Sequence, residues 1–469
     1  MMRRSAFILL AVWVCLPARA QEEWTLRRCI EQARENSITV QKSRLGTELN
    51  ELSLREARAA RLPNLSLSTG FFEQFGRTID PTTNTFANQK IGSSRASLNT
   101  GLTLFNAGRI NHTIQRARLN VEAAHLNDQS ARDDLALNVA LVYFQILFAQ
   151  DQVDIARKRR ELARQQIERT KALIEAGSLP ANEILNFQSK LADAEQQVVA
   201  AENSLDAAYL QLRQMLRTDE DIRIRRVPVE ARIEADIPDE ETVFRAAVAR
   251  LPAIRAAQLQ VRSSRLGVKI AKSALWPTLT IGGSMSTNYS SLSKKLDGFE
   301  VVTIPQQVSI NGSPAVLEVP RQIPVLKDNP FPNQLDENFG QSFGLNLSVP
   351  IYQNYRSAAA VQRARIAVRQ AELDEMQARY NLRTTIQKAV HQARAARQQL
   401  RAAQKAYEAA LAVLRNTQEK YDAGAAGAFE LTTAKTNADI AENNLLSARY
   451  DLFFKRKILD FYLGKDLSR

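Results

Sequence analysis

An internal duplication limits the folds open to this chain more than any other feature of its sequence. The segment 115–118 recurs as 362–365, an offset of 247 residues, and the same offset maps Glu183 onto Glu430. Because a repeated sequence folds into repeated structural units, we predict two tandem copies of one arrangement of helices and strands.

The second copy contains a longer connection than the first. Near Pro63 and Pro277 the offset between the copies is only 214 residues, so 33 residues are added further along, within about residues 290–338. This stretch contains Pro and Ser and is rich in residues that form turns. The predicted divisions are a first repeat at residues 21–218, a linker at 219–239 and a second repeat at 240–469.

The N-terminus has the features of a secretory signal peptide. Two arginines precede the apolar run Ala6–Leu16, and a small-residue cleavage pattern follows at Ala18–Ala20, which predicts a signal peptide at residues 1–20. Lipid attachment at Cys15 is the alternative, and it is less favoured because the residue before this cysteine is not small. Cleavage would leave Cys29 as the remaining cysteine, which excludes a disulfide scaffold.

The charge balance is basic but does not indicate nucleic acid. The net charge is +13 at pH 7, and +10 once the signal peptide and its three arginines are removed. Nucleic-acid surfaces cluster their basic residues, whereas these arginines are spread along helical stretches without interleaved aromatic residues. We therefore predict solvated helix faces and no nucleic-acid partner.

Catalytic and metal-binding patterns are missing from the sequence. The three histidines, His112, His125 and His391, lie in predicted helices without paired ligands, and neither a G-x-S-x-G nor a Walker motif occurs. We predict no catalytic residues, no metal site and no cofactor, so an enzyme is the least favoured class of function.

Four segments alternate between apolar and small polar residues with a period of two, at 65–71, 96–104, 279–289 and 341–351. This alternation predicts strands. A soluble half-buried sheet would share it, but the polar face carries few charges and the lengths approach those of membrane-crossing strands. Four strands are too few to close a barrel, and open edges are not tolerated in lipid, so several copies of the chain would have to share one barrel.

Long helical tracts make up most of the remaining sequence. Shorter helical segments are predicted at about 24–60 and 240–274, and long ones at about 108–175, 181–217, 355–422 and 428–463. Apolar residues recur every seven positions from Ile184 to Leu212, with a second series three places on from Phe187 to Met215, which is typical of a coiled coil. A tract of 68 residues would extend about 100 Å, too long for one compact domain.

Two motifs carry a resemblance to a known family. One is Leu104–Arg109, where strand returns to helix, and the other is Tyr421–Gly424 followed by Phe429–Leu431. Together with the signal peptide and the two repeats, they resemble the TolC-like outer-membrane efflux proteins, the outer membrane factors. The resemblance implies an α+β membrane protein: a trimeric α/β barrel with four transmembrane β-strands per protomer and long periplasmic coiled-coil helices.

The resemblance also implies a function and a location. The expected function is the passive exit duct of a tripartite efflux pump or a type I secretion system, in the outer membrane of a Gram-negative bacterium and extending into its periplasm. The expected partners are two further copies of the chain, a periplasmic adaptor (membrane fusion) protein, an inner-membrane transporter and outer-membrane lipid. A periplasmic coiled-coil adaptor without a barrel is the alternative, but it leaves the duplicated strands unexplained.

The family's functional residues can be matched to positions of this chain. The resemblance implies a periplasmic gate at Glu183, Glu430 and Tyr421. It also implies adaptor-docking turns at Gly177, Ser178, Leu179, Gly424, Ala425, Ala426 and Gly427. A second gate acid is replaced by Thr433 and a gate arginine by Ala426. A glutamate in the first turn of a helix also interacts favourably with the helix dipole, which is the alternative role of Glu183 and Glu430. Tyr421 lies on the heptad seam, where packing is the expected role.

Overall fold

The computed structural model describes residues 23–80, 84–88, 90–177, 180–226, 236–310 and 312–465. The predicted signal peptide, Cys15, the tip residues Ser178 and Leu179, and part of the predicted linker lie outside these residues.

Helices account for most of the described chain. They are α1 Leu26–Asn36, α2 Ile38–Ala59, α3 Arg109–Glu175, α4 Glu183–Leu216, α5 Glu240–Arg250, α6 Pro252–Ser273, α7 Phe331–Glu337, α8 Arg356–Asp422 and α9 Ala428–Leu463. The four long helices, α3, α4, α8 and α9, begin and end within two residues of the predicted bounds, which confirms the prediction from heptad spacing and turn glycines. Among the described helices, none is both long enough and apolar enough to cross a membrane.

Each helical segment predicted ahead of the strands is divided into two helices. In the second, Leu251 has an extended backbone because Pro252 follows it, and a residue before proline disfavours the helical region. In the first, Ser37 is extended and its Oγ accepts a hydrogen bond from the Val40 backbone N–H at 3.4 Å. Ser37 therefore ends α1 and begins α2 in the manner of an N-cap.

The strands are β1 Asn64–Gln74, β2 Arg77–Ile79, β3 Phe86–Asn88, β4 Ile91–Phe105, β5 Thr278–Ser290, β6 Lys294–Ile310, β7 Ser313–Asp328 and β8 Gly340–Ser348. The chain forms two compact units. The helical unit comprises residues up to Leu49, 121–260 and 371 onwards, and the sheet unit comprises residues 50–120 and 261–370.

The helical unit is built around two buried apolar clusters. The larger one joins α1, α3, α4 and α9 and contains the fully buried side chains of Tyr143, Leu212 and Leu452. The Tyr143 hydroxyl donates to the Arg225 carbonyl oxygen at 2.9 Å, which satisfies its one polar group. The second cluster joins α5, α6, α8 and α9. The positions of α4 predicted as the coiled-coil seam are buried or half-buried, which confirms the heptad interpretation.

The sheet unit contains a four-stranded antiparallel sheet in the order β1-β4-β5-β8. Its register places polar residues of all four strands in single rows, such as Ser66, Asn99, Ser284 and Ser342. Rows on the opposite face are apolar, such as Leu102, Ile281 and Leu345. Because residues directly across a pair of strands lie on the same face, the sheet has one polar and one apolar face. β1 and β8 form its two edges.

The longer connection of the second half is more ordered than its turn-forming composition suggests. β6 and β7 form an antiparallel hairpin, which their many Val and Ile residues favour, and α7 follows. Gln334 of α7 is buried; its Nε2 donates to the carbonyl oxygens of Ser290 and Asn329 at 3.0 and 2.7 Å, and its Oε1 accepts from the Ser290 N–H at 2.9 Å. One side chain thus attaches α7 to the end of β5.

Candidate functional site

The predicted gate and docking residues that the structure describes lie in or beside two turns of the helical unit, between α3 and α4 and between α8 and α9. We call these the tip turns. Gly177 and Gly424 have φ values of +73° and +72°, the left-handed conformation that commonly ends a helix. The Ala425 N–H donates to the Lys420 carbonyl oxygen at 2.8 Å, which closes the end of α8. Gly427 differs, because its φ is −86° and it begins α9 with an extended backbone.

This difference predicts unequal effects of alanine at the two glycines. A Cβ at Gly424 or Gly427 would meet no atom within 4 Å, so only backbone strain separates them. We expect Gly424→Ala to lower the free energy of unfolding by about 1 kcal/mol, the cost of a left-handed non-glycine residue, and Gly427→Ala to leave it unchanged. Urea unfolding followed by circular dichroism tests this. Equal losses in both variants would contradict the strain argument.

The tip turns are held together by a small apolar cluster, which we call the tip cluster. Its buried members are Ile167, Phe187, Tyr421, Ala428 and Leu431, and they come from all four long helices. The Tyr421 side chain packs inside it and is 8% exposed. Within the described chain its hydroxyl makes no hydrogen bond. Burial, assisted by the nearby charge of Glu183, raises the pKa of Tyr421, so the packed ring keeps its proton.

The isolated hydroxyl allows the packing role of Tyr421 to be tested separately from its polar group. A buried polar group without a partner costs about 1–3 kcal/mol. We therefore expect Tyr421→Phe to unfold at the same or a higher temperature than wild type, whereas Tyr421→Ala, which deletes the ring, should unfold at a clearly lower one. Thermal unfolding of both variants measures this. Destabilisation by phenylalanine would show that the hydroxyl has a partner in the assembled protein.

The two predicted gate acids have different surroundings. Glu183 is half-buried in the first turn of α4, it lies near Tyr421, and its Oε2 accepts a hydrogen bond from Asn186 Nδ2 at 3.5 Å. Glu430 is exposed in the first turn of α9. Among the described residues, no hydrogen bond or ion pair joins Glu430 to the other two predicted gate residues. A single chain therefore brings Glu183 and Tyr421 together and leaves Glu430 facing outward.

An ion pair at the tips was not found by sequence reasoning. Arg169 of α3 and Asp422, the last residue of α8, are joined at 2.5 Å, and Gln418 Nε2 also donates to Asp422 at 2.9 Å. Both charged side chains are about half exposed, so the pair is worth about 0.2–1 kcal/mol and mainly orients the two helices. The partners are 253 residues apart, and only their similar distance from the two helix ends could have suggested the contact.

In the part of the chain that the structure describes, His, Cys, Asp and Glu side chains form no group of three or more that could hold an ion. The residues beside the tip turns provide the carboxylates of Glu183 and Glu430, in the first turns of α4 and α9, and the packed ring of Tyr421.

Comparison with known proteins identifies the family. The family model described as outer membrane efflux protein matches residues 29–217 and 243–465, which is most of the chain. The chain is 24% identical over 324 residues to the outer membrane protein TolC of Vibrio cholerae, covering 69% of this chain and 66% of that protein. It is 24% identical over 355 residues to the alkaline protease secretion protein AprF of Pseudomonas aeruginosa, covering 74% and 66%.

The fold is shared with a solved structure. The crystal structure of CusC superposes with a TM-score of 0.75 at 16% sequence identity, covering 95% of this chain and 93% of that chain. The alignments with the two curated relatives span 66% of each relative's length, and the structural likeness at low identity shows the fold alone. The family match covers far more than half of the sequence. The chain therefore belongs to the outer membrane efflux protein family, whose members are transport proteins of the Gram-negative outer membrane and not enzymes.

Proposed function

We propose that this chain is one protomer of a trimeric efflux channel in which three copies share a twelve-stranded transmembrane barrel. The observation that carries the proposal is the sheet β1-β4-β5-β8, which has two free edges and one apolar face. Lipid supplies no hydrogen-bond partners, so such edges require strands from other copies. Three is the number of copies that the family resemblance implies.

The exposure of the apolar face supports a membrane location for the sheet. The side chains of Phe343, Leu345 and Leu347 on β8 are 85%, 66% and 62% exposed in the single chain. Burial of such a face in water would require a second layer of protein, whereas outer-membrane lipid would cover it directly. The polar face, with its rows of Ser, Thr and Asn, would then line a water-filled interior.

The proposed channel is a passive exit duct. Its long helices extend into the periplasm, where the tip turns would meet a periplasmic adaptor attached to an inner-membrane transporter, in a tripartite efflux pump or a type I secretion system. The likeness to AprF, a protein of alkaline protease secretion, supports the second of these. Within this proposal the two tandem repeats contribute equivalent tips, at α3–α4 and at α8–α9.

The tip acids would form the gate. Symmetry would place three copies each of Glu183 and Glu430 around one narrow opening, and rings of carboxylates focus a negative potential that attracts cations. The Arg169–Asp422 pair and the packed Tyr421 ring would hold the helices of each protomer in place beside this opening.

Single-channel recording in planar bilayers tests the gate. We expect Glu183→Ala combined with Glu430→Ala to raise the conductance and to weaken block by multivalent cations, because the ring of negative charge is removed. The matched control, Glu195→Ala with Glu408→Ala, removes two exposed carboxylates from α4 and α8 away from the tip turns. Unchanged conductance and block in the tip variant, or equal changes in both, would remove Glu183 and Glu430 from the gate.

Fractionation tests the channel itself. The proposed trimer should be recovered from the outer membrane only with detergent and should migrate as an oligomer that dissociates on heating. Recovery from the periplasm without detergent would contradict the barrel and would favour a periplasmic coiled-coil adaptor instead.

A further inference from the structure

A large groove lies among α3, α4 and α9 of the helical unit, with α8 at one side. Its volume is about 1250 Å³, larger than the about 300–1,000 Å³ of ordinary small-molecule sites. Alanines on the facing helices leave this space open, namely Ala156, Ala163, Ala194 and Ala201. At one end the groove reaches the tip cluster and shares Phe187 with it, but neither Glu183 nor Glu430 lines the groove.

Much of the groove wall is apolar. Aromatic and aliphatic side chains from three helices line it, namely Phe148, Ile155, Phe187 and Ile440. A wall of this kind favours a ligand with a bulky hydrocarbon body, because contact with it removes apolar surface from water on both sides.

Charged side chains also line the groove, and two of its arginines have acidic partners. Arg159, whose side chain is only 10% exposed, donates to the Asp439 carbonyl oxygen at 2.6 Å and to Glu442 Oε2 at 3.0 Å, and it pairs with the Asp439 carboxylate at 3.3 Å. Arg169 of α3, which also lines the groove, pairs with Asp422 at 2.5 Å. Acidic partners therefore balance the charges of these two arginines.

Three other cations of the groove have no ion pair among the described residues; Lys190 and Arg415 are exposed, whereas Lys435 of α9 is half-buried. Burial lowers the pKa of Lys435, an effect that the charge of Asp439 partly offsets. A partly desolvated cation without a paired anion is unfavourable, so an anion placed beside Lys435 would be favoured.

Further polar atoms in the groove also have no partner. Gln166 Nε2 and Asn443 Oδ1 are buried, line the groove and make no hydrogen bond within the described chain. The Gln166 amide N–H is a donor, as is the Lys435 ammonium. The groove therefore combines unused donors with a large apolar wall.

We propose that this groove binds an amphipathic organic anion, with its carboxylate or sulfonate at Lys435 and its hydrocarbon body against the apolar wall. The groove belongs to the helical unit of a single chain. Binding in this groove therefore does not depend on whether the sheet forms the proposed channel. An experiment can contradict one of these proposals without contradicting the other.

Binding can be measured on the whole protein in maltoside micelles. Radiolabelled taurocholate, a monoanion with a rigid apolar body, is used below its own micelle-forming concentration in equilibrium dialysis. We expect saturable binding to wild type, and binding weaker by about tenfold or more in Lys435→Gln, because a charge-assisted contact is lost. Lys435→Arg should retain binding, since it keeps the positive charge. Taurocholate should also raise the unfolding temperature of wild type but not that of Lys435→Gln.

Two further variants serve as controls for this experiment. Lys158→Gln removes an exposed lysine of α3 outside the groove and should bind as wild type does. Ala163→Phe fills the groove and should abolish binding although Lys435 is present. This variant therefore tests whether the ligand needs the space of the groove as well as the positive charge. Equal affinities of Lys435→Gln and Lys158→Gln would overturn the proposal. So would equally strong competition by the uncharged methyl ester of cholic acid, which would show that the groove does not select an anion.

Discussion

Replacing Leu345 by arginine is expected to abolish assembly of the proposed trimer in the outer membrane. Leu345 lies in the middle of β8 and pairs with Ile281 on the apolar face of the sheet. A charged side chain on the lipid face of a transmembrane strand costs about 2–4 kcal/mol near the bilayer midplane. A trimer would bear this cost three times over, so little heat-dissociable oligomer should remain.

The neighbouring residue provides the matched control. Asn346 is the next residue of the same strand and pairs with Thr280 on the polar face, where an arginine would face the water-filled interior of the proposed barrel. Asn346→Arg should therefore assemble in normal amounts. Heat-modifiable migration of outer-membrane fractions on gels measures both variants. Normal assembly of Leu345→Arg would contradict a lipid-facing position for this face, and loss of both variants would show only that β8 tolerates no arginine.

Replacing Leu212 by alanine is expected to cause a large loss of stability in the helical unit. Leu212 is a predicted seam position of α4, is fully buried and belongs to the larger apolar cluster. Deleting most of a buried leucine side chain costs about 2–5 kcal/mol, because contacts are lost and a cavity remains. Thermal unfolding monitored by the helical circular dichroism signal should therefore show a clearly lower midpoint.

The same substitution two residues away serves as its control. Leu210 is 54% exposed on α4, and substitutions at such surface positions usually change stability by about 0.5 kcal/mol or less. Leu210→Ala should therefore unfold close to wild type. If both variants lose the same stability, the loss reflects the helix and not the packed seam. A Leu210→Ala variant that fails only in the assembled oligomer would instead place Leu210 in a contact between copies.

The strands show how far sequence reasoning extends. Alternation with a period of two is a local property, so the four strands and the polarity of each face were predictable from their own residues. Which strand lies beside which was not, because a row such as Ser66, Asn99, Ser284 and Ser342 joins residues from both halves of the chain. The hairpin β6–β7 was not predicted, because the turn-forming residues of that stretch outweighed its Val and Ile residues in the sequence analysis.

The candidate site was likewise predictable only in part from the sequence. Family motifs suggested Glu183 and Glu430 as gate residues, which remains a prediction, and the heptad spacing predicted the packing of Tyr421 that the tip cluster shows. The Arg169–Asp422 ion pair needed the structure, since nothing in the local sequence of either residue specifies a partner 253 residues away. The groove beside Lys435 needed it as well, because its walls come from separate helices.

Local sequence patterns were enough to predict the type of each long element, its apolar face and the position of its turns, because periodicity, glycine and proline act over a few neighbouring residues. Only the folded structure reveals the order and register of the sheet and the pairing of charges at the tips. These depend on contacts between distant segments, whose free energy is gained only when the chain has folded and packed.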